Sequence, residues 1–122
     1  MVSDNWTVAF YESPEEGCPV RDFLDGLDSR RRAKVLALIR LLEEEGPTLP
    51  FPYASQVRGK VRELRAHYGR GHYRVLYFAG PSRIFVLLHA LVKRSARLPE
   101  QDIVLAERRM ARYLERQEKG RK

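Results

Sequence analysis

Residues Trp6 to Tyr11 alternate and are rich in strand-forming side chains, which predicts a first strand. The turn Ser13-Pro14-Glu15-Glu16-Gly17 ends it. Pro19 then suits the first position of a helix, where its missing N–H costs nothing. Val20, Phe23, Leu24 and Leu27 recur at i, i+3, i+4 and i+7, one apolar face of a short helix. Asp28 and Ser29 can cap a second helix, in which Val35, Leu38, Ile39 and Leu42 repeat that spacing until Gly46-Pro47 stops it. The segment 47–60 contains Pro47, Pro50 and Pro52 and reads as a loop. Three strands follow, over 61–68, 72–79 and 84–92, with Gly69-Arg70-Gly71 and Gly80-Pro81-Ser82 as hairpin links. Pro99 opens a last helix, with Glu100 and Asp102 in its first turn and Ile103, Ala106, Met110 and Tyr113 as its buried stripe. The order β-α-α-β-β-β-α predicts an α+β domain with helices packed against an antiparallel sheet. One domain is expected over 1–122, with its core at about 6–113 and a basic C-terminal tail at about 114–122.

Composition narrows the class. The chain has 122 residues, of which 43% are hydrophobic and 32% charged, enough apolar material for one core and too much for a disordered tail. The apolar stretch from Ile84 to Val92 is broken by His89 and is too short to span a bilayer. The N-terminus places acids ahead of any apolar run, unlike a signal peptide. A single cysteine, Cys18, cannot form an internal disulfide. A soluble, cytoplasmic protein with no membrane partner is expected.

Charge shows where to look for a site. The net charge is +7, yet residues 1–29 carry −6 while 30–92 carry +8 and 93–122 carry +5. Such a surplus favours an anionic partner at the middle and end of the chain. The second helix carries Arg30, Arg31 and Arg32 at its start and Glu43, Glu44 and Glu45 at its end, against the macrodipole at both ends. Either a solvated face or a docking surface for a charged partner would explain it.

Familiar catalytic signatures are missing: no Walker-type loop, no Gly-x-Ser-x-Gly elbow and no dinucleotide fingerprint. His67, His72 and His89 lack carboxylates or thiols at ligand spacing, which argues against a metal centre. Between Val57 and Arg74 lie six bases, Arg58, Lys60, Arg62, Arg65, Arg70 and Arg74, and one acid, Glu63, interleaved with His67, Tyr68, His72 and Tyr73. Strand alternation puts Glu63, Arg65 and His67 on one face. Lys93, Arg94 and Arg97 close the last strand. Guanidinium forks beside aromatic rings suit a phosphate backbone with unstacked bases.

The motif order resembles the RelE/ParE superfamily of toxins from type II toxin–antitoxin modules, in particular its phage-derived HigB-like branch. The matching stretches are Pro19-Val20-Arg21-Asp22-Phe23-Leu24, Glu63-Leu64-Arg65, Tyr73-Arg74-Val75-Leu76-Tyr77-Phe78, Leu87-Leu88-His89-Ala90 and Val92-Lys93-Arg94-Ser95-Ala96-Arg97-Leu98-Pro99. The resemblance implies a microbial RNase-like fold and a ribosome-dependent mRNA endonuclease that uses no metal and no cofactor and is silenced by a cognate antitoxin of helix-turn-helix type. It also implies in-line attack by the RNA 2′-hydroxyl on the adjacent phosphate. Carried over, Arg65 and Arg74 serve the phosphate and its transition state. Lys93 beside Arg94 and Arg97 is crowded by like charge, which makes it a candidate proton-transfer group as well as a phosphate contact. His67 and His89 are further proton-transfer candidates, as is His72. Arg58, Lys60, Arg62, Arg94 and Arg97 are expected to bind RNA phosphates. Two alternatives stay open: a ParE-like gyrase inhibitor, and a phage-derived relative that binds nucleic acid or protein without cutting.

Overall fold

In a computed structural model describing residues 5–120, the chain forms one five-stranded mixed sheet with helices on both faces. The strands are β1 (Thr7–Phe10), β2 (Ala54–Arg58), β3 (Val61–Tyr68), β4 (Gly71–Gly80) and β5 (Ile84–Lys93), in spatial order β1-β5-β4-β3-β2. The helices are α1 (Pro19–Asp25), α2 (Ser29–Glu45) and α3 (Glu100–Gly120). The α+β class follows the sequence pattern, but three details differ. Strand β1 pairs with β5 in parallel, whereas every other pairing is antiparallel. The stretch expected to be a loop contains β2, a short edge strand on β3. Helix α3 also continues to Gly120, so residues 114–120 are its last turns, and Leu114 still packs on the core.

The sheet separates two apolar layers. On one face Val20 and Leu24 of α1 and Val35, Leu38, Ile39 and Leu42 of α2 pack against Leu64, Ala66, Tyr73, Val75, Tyr77, Phe85 and Leu87. On the other, Ala106, Met110, Tyr113 and Leu114 of α3 cover Leu76, Phe78, Val86 and Leu88. The period-3.6 stripes read from the sequence are therefore the buried faces.

The cationic start of α2 has a local use. Asp28 caps the helix by accepting from the Arg31 N–H at 2.9 Å. Arg32 turns back on α1, donating from Nε to the Leu24 carbonyl at 2.9 Å and from Nη2 to that of Leu27 at 2.7 Å. An arginine of the next helix thus adds donors to carbonyls at the end of α1, where that of Leu24 also accepts from the Leu27 N–H at 3.1 Å. The β3–β4 link turns at Gly69, whose φ of +59° suits glycine. It brings the two basic strands into register.

Candidate active site at the open end of the sheet

Antiparallel pairing sets side chains in rows across one sheet face. Glu63 stands opposite Leu76, and Leu76 opposite His89. Arg65 stands opposite Arg74, and Arg74 opposite Leu91. His67 stands opposite His72, and His72 opposite Lys93. Helix α3 covers the far part of this face, while the rows of Arg65 and His67 lie toward the β3–β4 turn. Strand β2 pairs with β3 only as far as Leu64, after which Arg65 N–H donates to the Tyr53 carbonyl at 2.8 Å.

Beyond that point a cleft of about 520 Å³ opens along the edge of β3. Arg65, Ala66, His67, His72 and Arg74 line its sheet side, and Lys34, Ala37, Leu38, Leu41, Pro52 and Tyr53 line its helix and loop side. Arg74 is 3% exposed and Glu63 is 7% exposed, so both charges are withdrawn from water. Glu63 accepts from Ser55 Oγ at 2.7 Å and from Arg65 Nη1 at 3.0 Å. Its other oxygen lies 3.2 Å from Arg74 Nε, close enough for charge attraction but not aligned for a hydrogen bond. Arg74 Nη1 donates to the Tyr73 carbonyl at 3.3 Å. Its Nε and Nη2 have no hydrogen-bond partner among the described residues.

A buried guanidinium left short of acceptors is expensive, because its lost hydration is not replaced. Burial and the Arg65 charge weaken the hold of Arg74 on its proton, and Glu63 offsets this in part. Arg65 itself lies over the Phe51 ring, 5.1 Å from its centroid. The His67 and His72 rings are 4.8 Å apart, centroid to centroid. Loss of solvent, then the charges of His67, Arg74 and Arg65, hold the His72 pKa below its ordinary 6.5. An imidazole so placed is neutral at neutral pH and free to accept a proton.

The remaining candidates are dispersed. Lys93 and Arg94 line a neighbouring groove of about 350 Å³ with Arg31, Tyr68, Arg70 and Tyr73. Arg97 lies exposed beyond β5, and Lys60 is exposed at the β2–β3 turn. Arg62 contacts Gln56 and Tyr77 and does not line the cleft. Arg58 is tied to α3, with Nη2 2.9 Å from Glu107 and Nη1 2.9 Å from Glu100.

The structure does not bring His89 to the cleft. Its Nε2 is 2.6 Å from Asp102 Oδ1, and its Nδ1 is 3.4 Å from Arg109 Nη1, so both nitrogens are engaged between β5 and α3. The sequence pattern does not single out three groups at the site: Lys34, Phe51 and Tyr53. The signal available for the last two was a pair of large aromatics in a proline-rich segment, where no core stripe claims them.

Residues 22–111 match the family model described as Phage derived protein Gp49-like (DUF891). Over 73 residues the chain is 40% identical to "Putative toxin HigB2" of Mycobacterium tuberculosis, a stretch that covers 56% of this chain and 36% of that relative. The chain thus spans little more than a third of that protein's length.

Proposed function

The chain belongs to the Gp49-like phage-derived family, and from that premise we propose that it is a toxin of the toxin–antitoxin type that cuts mRNA on the ribosome. The observation that carries this reading is the buried Arg74 guanidinium, which lines the cleft beside Arg65 with Nε and Nη2 unpartnered. The RNA phosphate supplies the missing acceptors. Arg65 and Arg74 then face the extra negative charge that builds on the phosphorane, where preorganised donors act most strongly.

His72, neutral through its surroundings, takes the proton of the 2′-hydroxyl as the O2′–P bond forms. The P–O5′ bond breaks, and His67 beside it supplies the proton to the leaving 5′-oxygen. The products are a 2′,3′-cyclic phosphate and a free 5′-hydroxyl. Lys93, opposite His72 in register, adds positive charge at the same end. Glu63 holds Arg65 in place and does not touch substrate. No step needs a metal or a cofactor. The neighbouring groove, with Arg31, Arg70, Lys93 and Arg94, binds the adjoining RNA backbone. An antitoxin with an acidic segment silences the protein by covering this basic end.

The test is inducible expression in a bacterial host, with growth followed and mRNA 5′ ends mapped against an Arg65→Ala control. Growth arrest with new cuts that vanish in the control supports the reading. Arrest without cuts points to another target such as gyrase, and neither arrest nor cuts points to a binding protein.

A further inference from the structure

The cleft has two chemically different ends. Its sheet end presents Arg65, His67, His72 and Arg74, and its helix and loop end presents Ala37, Leu38, Leu41, Pro52 and Tyr53. A phosphate clamp needs only the first. A volume of about 520 Å³ lies within the ~300–1,000 Å³ typical of small-ligand sites and far exceeds one phosphate group. The loop beside it also holds two aromatic side chains in water, Phe51 at 68% exposure and Tyr53 at 47%. Large exposed aromatics next to a cationic clamp are the composition of a base-stacking platform.

We propose that this cleft is a subsite for one unstacked nucleotide. Its base rests on the apolar wall formed by Leu41, Pro52 and Tyr53, and its phosphate reaches Arg74. The inference rests on the assignment of Arg65 and Arg74 as a phosphate clamp and extends it to the neighbouring base. Ring-on-ring contact with Tyr53 and apolar contact with Leu41 tolerate any base face. Lys34, at the helix side, is the group in the cleft placed to favour bases whose edge presents hydrogen-bond acceptors. Selectivity among bases therefore lies at Lys34 and overall affinity at Tyr53.

The experiment titrates the full chain with the four nucleoside 3′-monophosphates, ribose 5-phosphate and inorganic phosphate, by calorimetry and by amide chemical shifts. Nucleotides should bind at least 10-fold more tightly than ribose 5-phosphate, with shifts at Leu41 and Tyr53. Tyr53→Ala should weaken nucleotides by about 10-fold and leave inorganic phosphate unchanged, and Tyr53→Trp should restore the loss. The backbone carbonyl that holds Arg65 survives both changes. Equal affinity for nucleotide, ribose phosphate and inorganic phosphate would overturn the base subsite while sparing the clamp. No binding by any of them, in a protein that melts normally, would overturn the clamp as well. Displacement of inorganic phosphate by an acidic peptide whose affinity falls in Tyr53→Ala, with nucleotides insensitive to that change, would mark a protein-docking groove and overturn the subsite.

Discussion

Two arginines buried on the same face of the sheet make opposite use of their charge. Arg109 of α3 is 7% exposed, and its Nε donates to Glu16 at 3.0 Å while its Nη1 donates to the Leu88 carbonyl at 2.8 Å. Glu16 in turn accepts from Tyr11 at 3.1 Å, and His89 links the group to Asp102. That network ties the turn after β1, strand β5 and helix α3 together. Arg74 is 3% exposed, yet its Nε and Nη2 find no hydrogen-bond partner among the described residues. Burial of a cation with aligned acceptors contributes to a fixed structure, whereas Arg74 Nε has beside it only the misaligned Glu63 carboxylate, at 3.2 Å. The contrast sets a structural polar cluster apart from the cluster proposed to bind RNA phosphate.

Exchanging each arginine for methionine should break the two regions in opposite ways. Arg109→Met removes the main cationic partner of the Glu16 carboxylate, which keeps Tyr11 and the more distant Arg112, and a donor to the Leu88 carbonyl. It should cost about 3 kcal/mol in urea unfolding, at the low end for a buried pair because Glu16 keeps 21% of its side-chain surface in water. Arg74→Met leaves Glu63 with Ser55 and Arg65, so the unfolding midpoint should move much less. The same change should slow RNA cleavage by about 10²–10³-fold, the usual loss for a removed transition-state donor. Equal losses of stability in the two variants would erase the distinction.

The pH dependence sharpens it next. The His72 pKa is held below 6.5, so the acid limb of the cleavage rate should lie below pH 6.5, with activity lost as pH falls through it. His67→Gln removes one of the charges responsible and should move that limb upward. Stability responds elsewhere. Burial raises the Glu16 pKa, but hydrogen bonds from Arg109 and Tyr11 and the charges of Arg109 and Arg112 bring it below its ordinary 4.5. Its contribution is therefore complete above pH 4.5 and is lost as pH falls below that value, through the depressed folded-state pKa. Urea midpoints measured from pH 6 to pH 3 should show this loss, and Arg109→Met should flatten it.

The smallest effect belongs to Arg32. Arg32→Ala removes the side-chain donors to the Leu24 and Leu27 carbonyls and should cost about 1 kcal/mol in the same unfolding measurement, with cleavage unchanged. A slower cut in that variant would extend the site along α2.

Periodicity made the helices and the three long strands legible, because each buries a regular stripe. Strand β2 escaped because it is only five residues long, at an edge, directly after the prolines that make its surroundings read as loop. The parallel placement of β1 escaped because a strand's own pattern says nothing about its neighbour's direction. Within the candidate site, the pairing of Arg65 with Arg74 follows from hairpin register and could be anticipated. The ion pairs of Arg58 were not legible, since Glu100 and Glu107, which engage it, lie more than 40 residues away. Arg109 completes the 106–109–110–113 spacing of the buried stripe in α3. Its charge disguised it as a surface residue.

Arg65 and Arg74 are proposed to form the clamp on the scissile phosphate. The most direct test is the single-turnover rate at which the wild-type protein and Arg65→Ala cut the same ribosome-bound mRNA, with both proteins first shown to melt alike. The clamp predicts a rate at least about 100-fold lower in the variant. Cutting at the wild-type rate by folded Arg65→Ala would contradict it.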